Sequence, residues 1–233
     1  LSRLAIAGMP PTCVNDRVAP ARRSPASAAA HPRPATCRLV SQGGNHLGGV
    51  THTQFMKMCK KANVKYAMFV RDATHCWYHR GLASGIDPNF GFESVIETLA
   101  AEIDLLKPRE VVMLGASMGG YAAIRAGLQL KASAVIAFSP QVLLGTAERA
   151  SAMILPMPTL DPYLLKVHLA AELEGFRVKT LISAVEQSPG YDTTIQVHMG
   201  ELDAHCGREI EMLRVCATRR GAGTKGGSGV KVS

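Results

Sequence analysis

In "EVVMLGASMGGYAAIRAGLQL", residues 110 to 130, a strand-length apolar run meets a helical run across only Gly115-Ala116-Ser117-Met118-Gly119. That junction constrains the fold more than any other stretch. With so little chain between the two periods, the backbone turns within a few residues and Ser117 stands at the tip. Such a turn needs small residues two before and two after the serine, because strand and helix backbones nearly touch. Gly115 and Gly119 meet the demand and Gly120 adds room. The Met118 N–H then lies at a helix N-terminus, where unsatisfied amides and the helix dipole favour negative charge. A structural turn with a spare serine is the plain alternative. A glycine-rich phosphate loop fits worse, since no Lys-Ser/Thr follows.

Around this junction, apolar runs of strand length alternate with helical stretches. Strands are predicted at 37–41, 64–70, 110–115, 133–139 and 193–199, and helices at 51–62, 91–106, 119–130, about 162–173 and about 203–214. In the second helix Val95, Ile96, Leu99, Ile103 and Leu106 share one stripe, as a helix lying on a sheet requires. The alternation predicts an α/β fold: a mostly parallel sheet of about five or six strands with helices on both faces. Residues 1–37 are Ala-, Arg- and Pro-rich without apolar period, and read as a disordered or targeting leader. Residues 38–214 form the folded domain, and the Gly-rich, basic 215–233 read as a disordered tail unable to supply another packed strand and helix.

Charge supports this division. The chain of 233 residues carries +8 overall, but residues 1–38 hold six arginines against one acid, and 214–233 hold five bases and no acid. Residues 39–213 hold 15 bases against 17 acids, so the basic character belongs to the ends. With no basic stripe and no spaced aromatics in the domain, nucleic-acid binding is disfavoured. The six cysteines form no C-x-x-C pair and read as reduced thiols, with neither zinc site nor disulfide framework. No stretch approaches the roughly 20 apolar residues of a membrane span. A soluble, cytoplasmic protein is expected, or an organellar one if the leader is a transit peptide.

Gly115 to Gly119 matches G-x-S-x-G in the strand-to-helix setting of a nucleophile elbow. Together, "GASMGGYAA", the upstream "FVRDATHCWYH" (69–79) and the downstream "AFSPQ" (137–141) resemble a group of small α/β-hydrolase-like proteins. The likeness spans about residues 38–213. It implies that the strand at 37–41 lies directly beside the elbow strand, so that Gln42-Gly43-Gly44-Asn45 faces Ser117. The Met118 N–H would be one oxyanion donor, and Gly44 or Gln42 the second, with a plain turn as the rival reading.

The resemblance also implies the chain order Ser, acid, His. Gly200-Glu201-Leu202-Asp203 follows a late strand, and Asp203 is preferred as the acid over Glu201, with a helix N-cap as its plain role. Asp72 is an outside candidate that pairing with Arg71 or loop capping explains more simply. His205 is the histidine that follows Asp203, and it is the expected base, against a surface helix position. His198 falls inside a strand, a core or interstrand place. His75 and His79 sit on a long loop at the sheet edge that could carry one to the serine. Trp77 and Tyr78, on that loop, either line a substrate pocket or anchor the loop to the core. Ser139-Pro140 borders the site, and Met153 and Met157 either form an acyl pocket or fill gaps.

The expectation is a serine hydrolase acting on an ester, thioester or related acyl bond of a small molecule, without metal or organic cofactor. The family pattern places its base after a further strand, where this sequence has the Gly-rich tail. A catalytically impaired hydrolase-fold binding protein, or a truncated gene product, is therefore the alternative.

Overall fold

The computed structural model describes residues 5–7, 36–41, 55–64, 66–72, 74–82, 91–154, 156, 160–188, 193–200, 204–221 and 231–232. In chain order the elements are β1 (Ala5–Ala7), β2 (Thr36–Ser41), α1 (Met56–Lys61), β3 (Tyr66–Val70), α2 (Phe92–Leu106), β4 (Glu110–Ala116) and α3 (Met118–Gln129). There follow β5 (Ala134–Phe138), α4 (Thr146–Ser151), α5 (Asp161–Glu174), α6 (Leu181–Gln187), β6 (Thr194–His198), α7 (Ala204–Gly221) and β7 (Lys231–Val232).

The described strands make one seven-stranded sheet in the order β1-β3-β2-β4-β5-β6-β7. Only the β1–β3 pairing is antiparallel. As expected, β2 lies directly beside β4, with Ser41 opposite Gly115. The period-2 alternation of the strands sends Met68, Val70, Met113, Val135 and Ile195 to one face, packed with Val95 and Leu99 of α2, Ile124 of α3, Val185 of α6 and Leu213 of α7. Ala67, Phe69 and Leu114 face the other way, packed with Phe55, at the N-terminal end of α1, and Cys59 of α1. Helices thus cover both faces, and α3 is buried from Met118 through Leu128. None of the described helices is long and apolar enough to cross a membrane.

Three expectations need correction. The leader contributes β1, whose Ala5, Ile6 and Ala7 pair with Phe69, Met68 and Ala67. Past residue 214, α7 continues to Gly221 and buries Ala217 in the core. Beyond it, β7 pairs in parallel with β6 through Thr194 opposite Lys231, so the Gly-rich tail does carry a strand. The helices α4 and α6 stand where no helix is predicted. α6 has only two buried residues, Leu181 and Val185, too few to reveal a period, although Thr180 caps it by accepting the Ser183 N–H at 3.1 Å.

Candidate active site

Ser117 joins β4 to α3 with φ 55° and ψ −123°, a conformation that ordinary residues avoid and that costs on the order of 1–3 kcal/mol. Three features hold it there. The Ser117 N–H donates to Phe138 O on β5 at 2.8 Å, and its own carbonyl accepts the Tyr121 N–H at 3.0 Å, starting the helix. A Cβ on Gly115 would lie 2.0 Å from Gly119 O, so only glycine permits this approach. The Ser117 side chain does not cap α3 and is half-buried. No acceptor among the described residues takes the Met118 N–H, the first amide of α3.

The hydroxyl has a neighbour that the sequence did not single out. Gln141 Nε2 donates to Ser117 Oγ at 3.0 Å, and Gln141 Oε1 accepts the Trp77 indole N–H at 3.2 Å. Gln141 stands within "AFSPQ", just past β5, where the chain doubles back: Ser139 has φ 41° and donates its N–H to His198 O at 2.8 Å. The one available signal was its place right after the Ser-Pro that ends the strand beside the elbow.

Trp77 and Tyr78, left open between pocket lining and anchoring, are core side chains, 2% and 0% exposed. Asp72 sets their loop. Its carboxylate accepts the N–H groups of Thr74, Cys76 and Tyr78 at 2.8, 2.7 and 2.8 Å, and the Thr74 hydroxyl at 2.6 Å. These bonds hold Trp77 and Tyr78 at φ 50° and 60°, turned inward. The Tyr78 hydroxyl donates to Val70 O at 3.2 Å. Asp72 is thus the capping group of this loop, and Trp77 connects to the serine through Gln141.

His79 is committed elsewhere. Its Nδ1–H donates to Cys76 O at 3.0 Å, and Nε2 accepts the Lys179 N–H at 3.0 Å, which fixes the neutral tautomer. Tyr121, the tyrosine of the G-x-S-M-G-G-Y stretch, sits beside it. The Tyr121 hydroxyl donates to Lys179 O at 2.7 Å and accepts from Arg125 at 3.2 Å. Burial, aided by the Arg125 charge, pushes the His79 imidazole down to about 3.

A pH effect follows. Unfolded, this histidine takes a proton near 6.5, whereas in the fold it stays neutral until about 3. Between those values the unfolded chain binds more protons, so the stability contributed by His79 is complete above 6.5 and is lost as pH falls toward 3. Urea denaturation is expected to show a loss of roughly 3 kcal/mol between pH 6.5 and 4, and His79→Gln to flatten that slope. Equal slopes in both proteins would refute it.

Burial also lowers the His75 imidazole. His198, expected inside the sheet, is instead exposed at the carboxyl end of β6, its ring stacked on Phe138 at 5.1 Å between centroids. Met153 is 71% exposed and fills no gap. Met157, Gln42, Gly44, Glu201 and Asp203 lie outside the described residues. His205 is the second residue of α7, and its side chain also lies outside them.

A six-strand parallel array with a strained serine between a central strand and a buried helix defines the α/β-hydrolase-like fold. No family model matches the chain, and no curated protein matches it. Solved structures do. One is the Glycosylation Associate Protein (Gap123) complex from Streptococcus agalactiae, with TM-score 0.54 and 16% identity over 85% of this chain and 37% of that one. A second is the capsule O-acetyltransferase of Neisseria meningitidis serogroup A, with TM-score 0.53 and 16% identity over 84% and 77% of the two chains. A third is the esterase Est22, with TM-score 0.53 and 14% identity over 85% and 62%. At these identities the likeness is one of fold. The chain spans little more than a third of the first of these structures.

Proposed function

We propose that this chain is an acyl-transfer enzyme, in its simplest form a serine hydrolase, acting through Ser117 on an ester, thioester or related acyl bond. The observation that carries the reading is the backbone at Ser117: a disfavoured conformation, guarded by Gly115, that presents a half-buried hydroxyl next to the Met118 N–H, which has no acceptor among the described residues. Proteins retain strain of this size where it serves a site. In the proposed reaction Oγ loses its proton to a base and bonds to the acyl carbon, while the Met118 N–H donates to the carbonyl oxygen as it gains charge. Water then releases the acyl group as an acid.

Gly44 remains the proposed second donor. Its support is the pairing of Ser41 with Gly115, which puts the end of β2 level with the turn at Ser117. Asp203 and His205 remain the proposed acid and base. They follow β6, which ends at the same carboxyl edge as β4, one strand beyond β5. A hydrolase-fold binding protein is the second reading. Favouring it is the hydrogen-bond partner of Oγ among the described residues, a carboxamide that cannot act as a base.

A fluorophosphonate probe separates the two. Labelling of the wild-type chain, abolished in Ser117→Ala and Ser117→Gly, is expected of the enzyme, and an unlabelled wild type would leave the binding protein. The two variants should differ in stability. Glycine relieves the φ 55° strain and alanine does not, so Ser117→Gly is expected to melt about 2–4 °C above Ser117→Ala.

A further inference from the structure

The contact of Gln141 with Ser117 has a fixed polarity. An indole N–H can only donate, so the Gln141 oxygen must face Trp77 and its NH2 must face Oγ. The pair is preformed and nearly dry, with Gln141 9% and Trp77 2% exposed. The backbone beneath Gln141 is also held: the next two N–H groups, of Val142 and Leu143, donate to the Glu209 carboxylate at 2.6 and 3.1 Å, and Val142 O accepts the Leu181 N–H at 2.9 Å. A long side chain fixed so firmly against a strained serine does more than fill space.

We propose that Gln141 is a catalytic residue of the Ser117 site, donating through Nε2 to Oγ while that oxygen carries negative charge, with Trp77 as the positioning residue that keeps the amide from flipping. This rests on the reading of Ser117 as a nucleophile. In the resting site the bond occupies one lone pair of Oγ and turns the hydroxyl proton away from Gln141. During release of the acyl group the water oxygen bonds to the acyl carbon and the C–Oγ bond breaks. The bonding pair passes to Oγ, which ends with one water proton, and the remaining oxygen and proton leave with the acid. Charge on Oγ is greatest as that bond breaks, and there the Gln141 donor lowers the barrier. Gln141 neither gains nor loses a proton.

The experiment compares the wild-type chain with Gln141→Met, Gln141→Asn and Trp77→Phe, each checked by thermal melting. It measures the fluorophosphonate labelling rate, and the burst and steady-state turnover of p-nitrophenyl acetate across pH. A lost donor to a charged oxygen is expected to slow steady-state turnover by about 10- to 100-fold and the burst by less, with the shape of the pH profile unchanged. Trp77→Phe should follow in the same direction with a smaller loss. The asparagine variant, one methylene too short to bridge Trp77 and Oγ, keeps the test open should the methionine variant fail to fold. Folded variants that label and turn over within about twofold of the wild type would overturn the role of Gln141 and leave the nucleophile intact. A changed pH profile would overturn it too, because it would make Gln141 part of the proton path. An unlabelled wild type would remove the nucleophile, and this proposal with it.

Discussion

Gly115→Ala is expected to cost at least roughly 4 kcal/mol, most of the margin of a domain at the lower end of ordinary stability. The added Cβ would lie 2.0 Å from Gly119 O, 2.3 Å from Gly119 C and 2.8 Å from Gly120 N. All three are backbone atoms at the start of α3, so no rotamer change relieves the collision. Moving the helix away is blocked as well, because it is enclosed on every side and Tyr121 and Ile124 have no exposed surface. Overpacking against side chains that can shift typically costs about 1–3 kcal/mol, and a backbone collision should exceed it. Gly120→Ala provides the contrast. Its Cβ would meet Pro140 Cβ at 3.1 Å and Phe138 O at 3.3 Å, a gap that a few tenths of an ångström relieve, so about 1 kcal/mol is expected. Urea denaturation of both variants checks the pair. A Gly115→Ala chain as stable as Gly120→Ala would mean that β4 and α3 stand further apart than described, and the elbow would lose its physical basis.

The elbow was legible in the sequence because its requirements are local: a strand period, a helix period and two glycines within a few residues. The parallel sheet was legible for the same reason, and so was the placing of β2 beside β4 once the hydrolase-like order was applied. What surrounds Ser117 was not. Gln141 reaches the serine across 24 positions and Trp77 reaches Gln141 across 64, both from irregular segments, and no periodicity reports on such contacts. The inward turn of Trp77 and Tyr78 depends on left-handed backbone held by the Asp72 carboxylate, an arrangement visible in the sequence only as "RDATHCWY". α7 outran its expected end because Ala217 and Cys216 still pack inward before the glycines begin: Ala217 is buried and Cys216 Sγ lies 3.9 Å from Ile182 O of α6. The exposure of His198 escaped the sequence because strand period tells which face a residue takes, not whether a helix covers that face at the sheet's rim.

Glu209→Met is expected to destabilise the chain by roughly 3–5 kcal/mol, and more than Arg149→Met does. Glu209 lies on α7, is 2% exposed, and meets Arg149 of α4, itself 3% exposed, in a buried ion pair. The pair is unequal. One carboxylate oxygen takes the guanidinium of Arg149, and the other takes the N–H groups of both Val142 and Leu143. Removing Arg149 therefore leaves the carboxylate still solvated by two amides, whereas removing Glu209 strands a buried cation and two buried donors together. The difference makes the double variant informative. If the ion pair were the main term, replacing both residues by methionine would recover much of the loss, as apolar replacement of buried pairs often does. Because two backbone donors depend on Glu209 alone, the double variant is expected to stay close to Glu209→Met, and a double-mutant cycle in urea measures this directly. The same variants bear on the site. Val142 and Leu143 directly follow Gln141, so loosening them releases the side chain that touches Ser117 Oγ. Among folded chains, Glu209→Met should react with a fluorophosphonate more slowly than Arg149→Met. Equal rates would show that the loop keeps its shape without the carboxylate, held by the Leu181 N–H on Val142 O and by the Trp77 bond to Gln141.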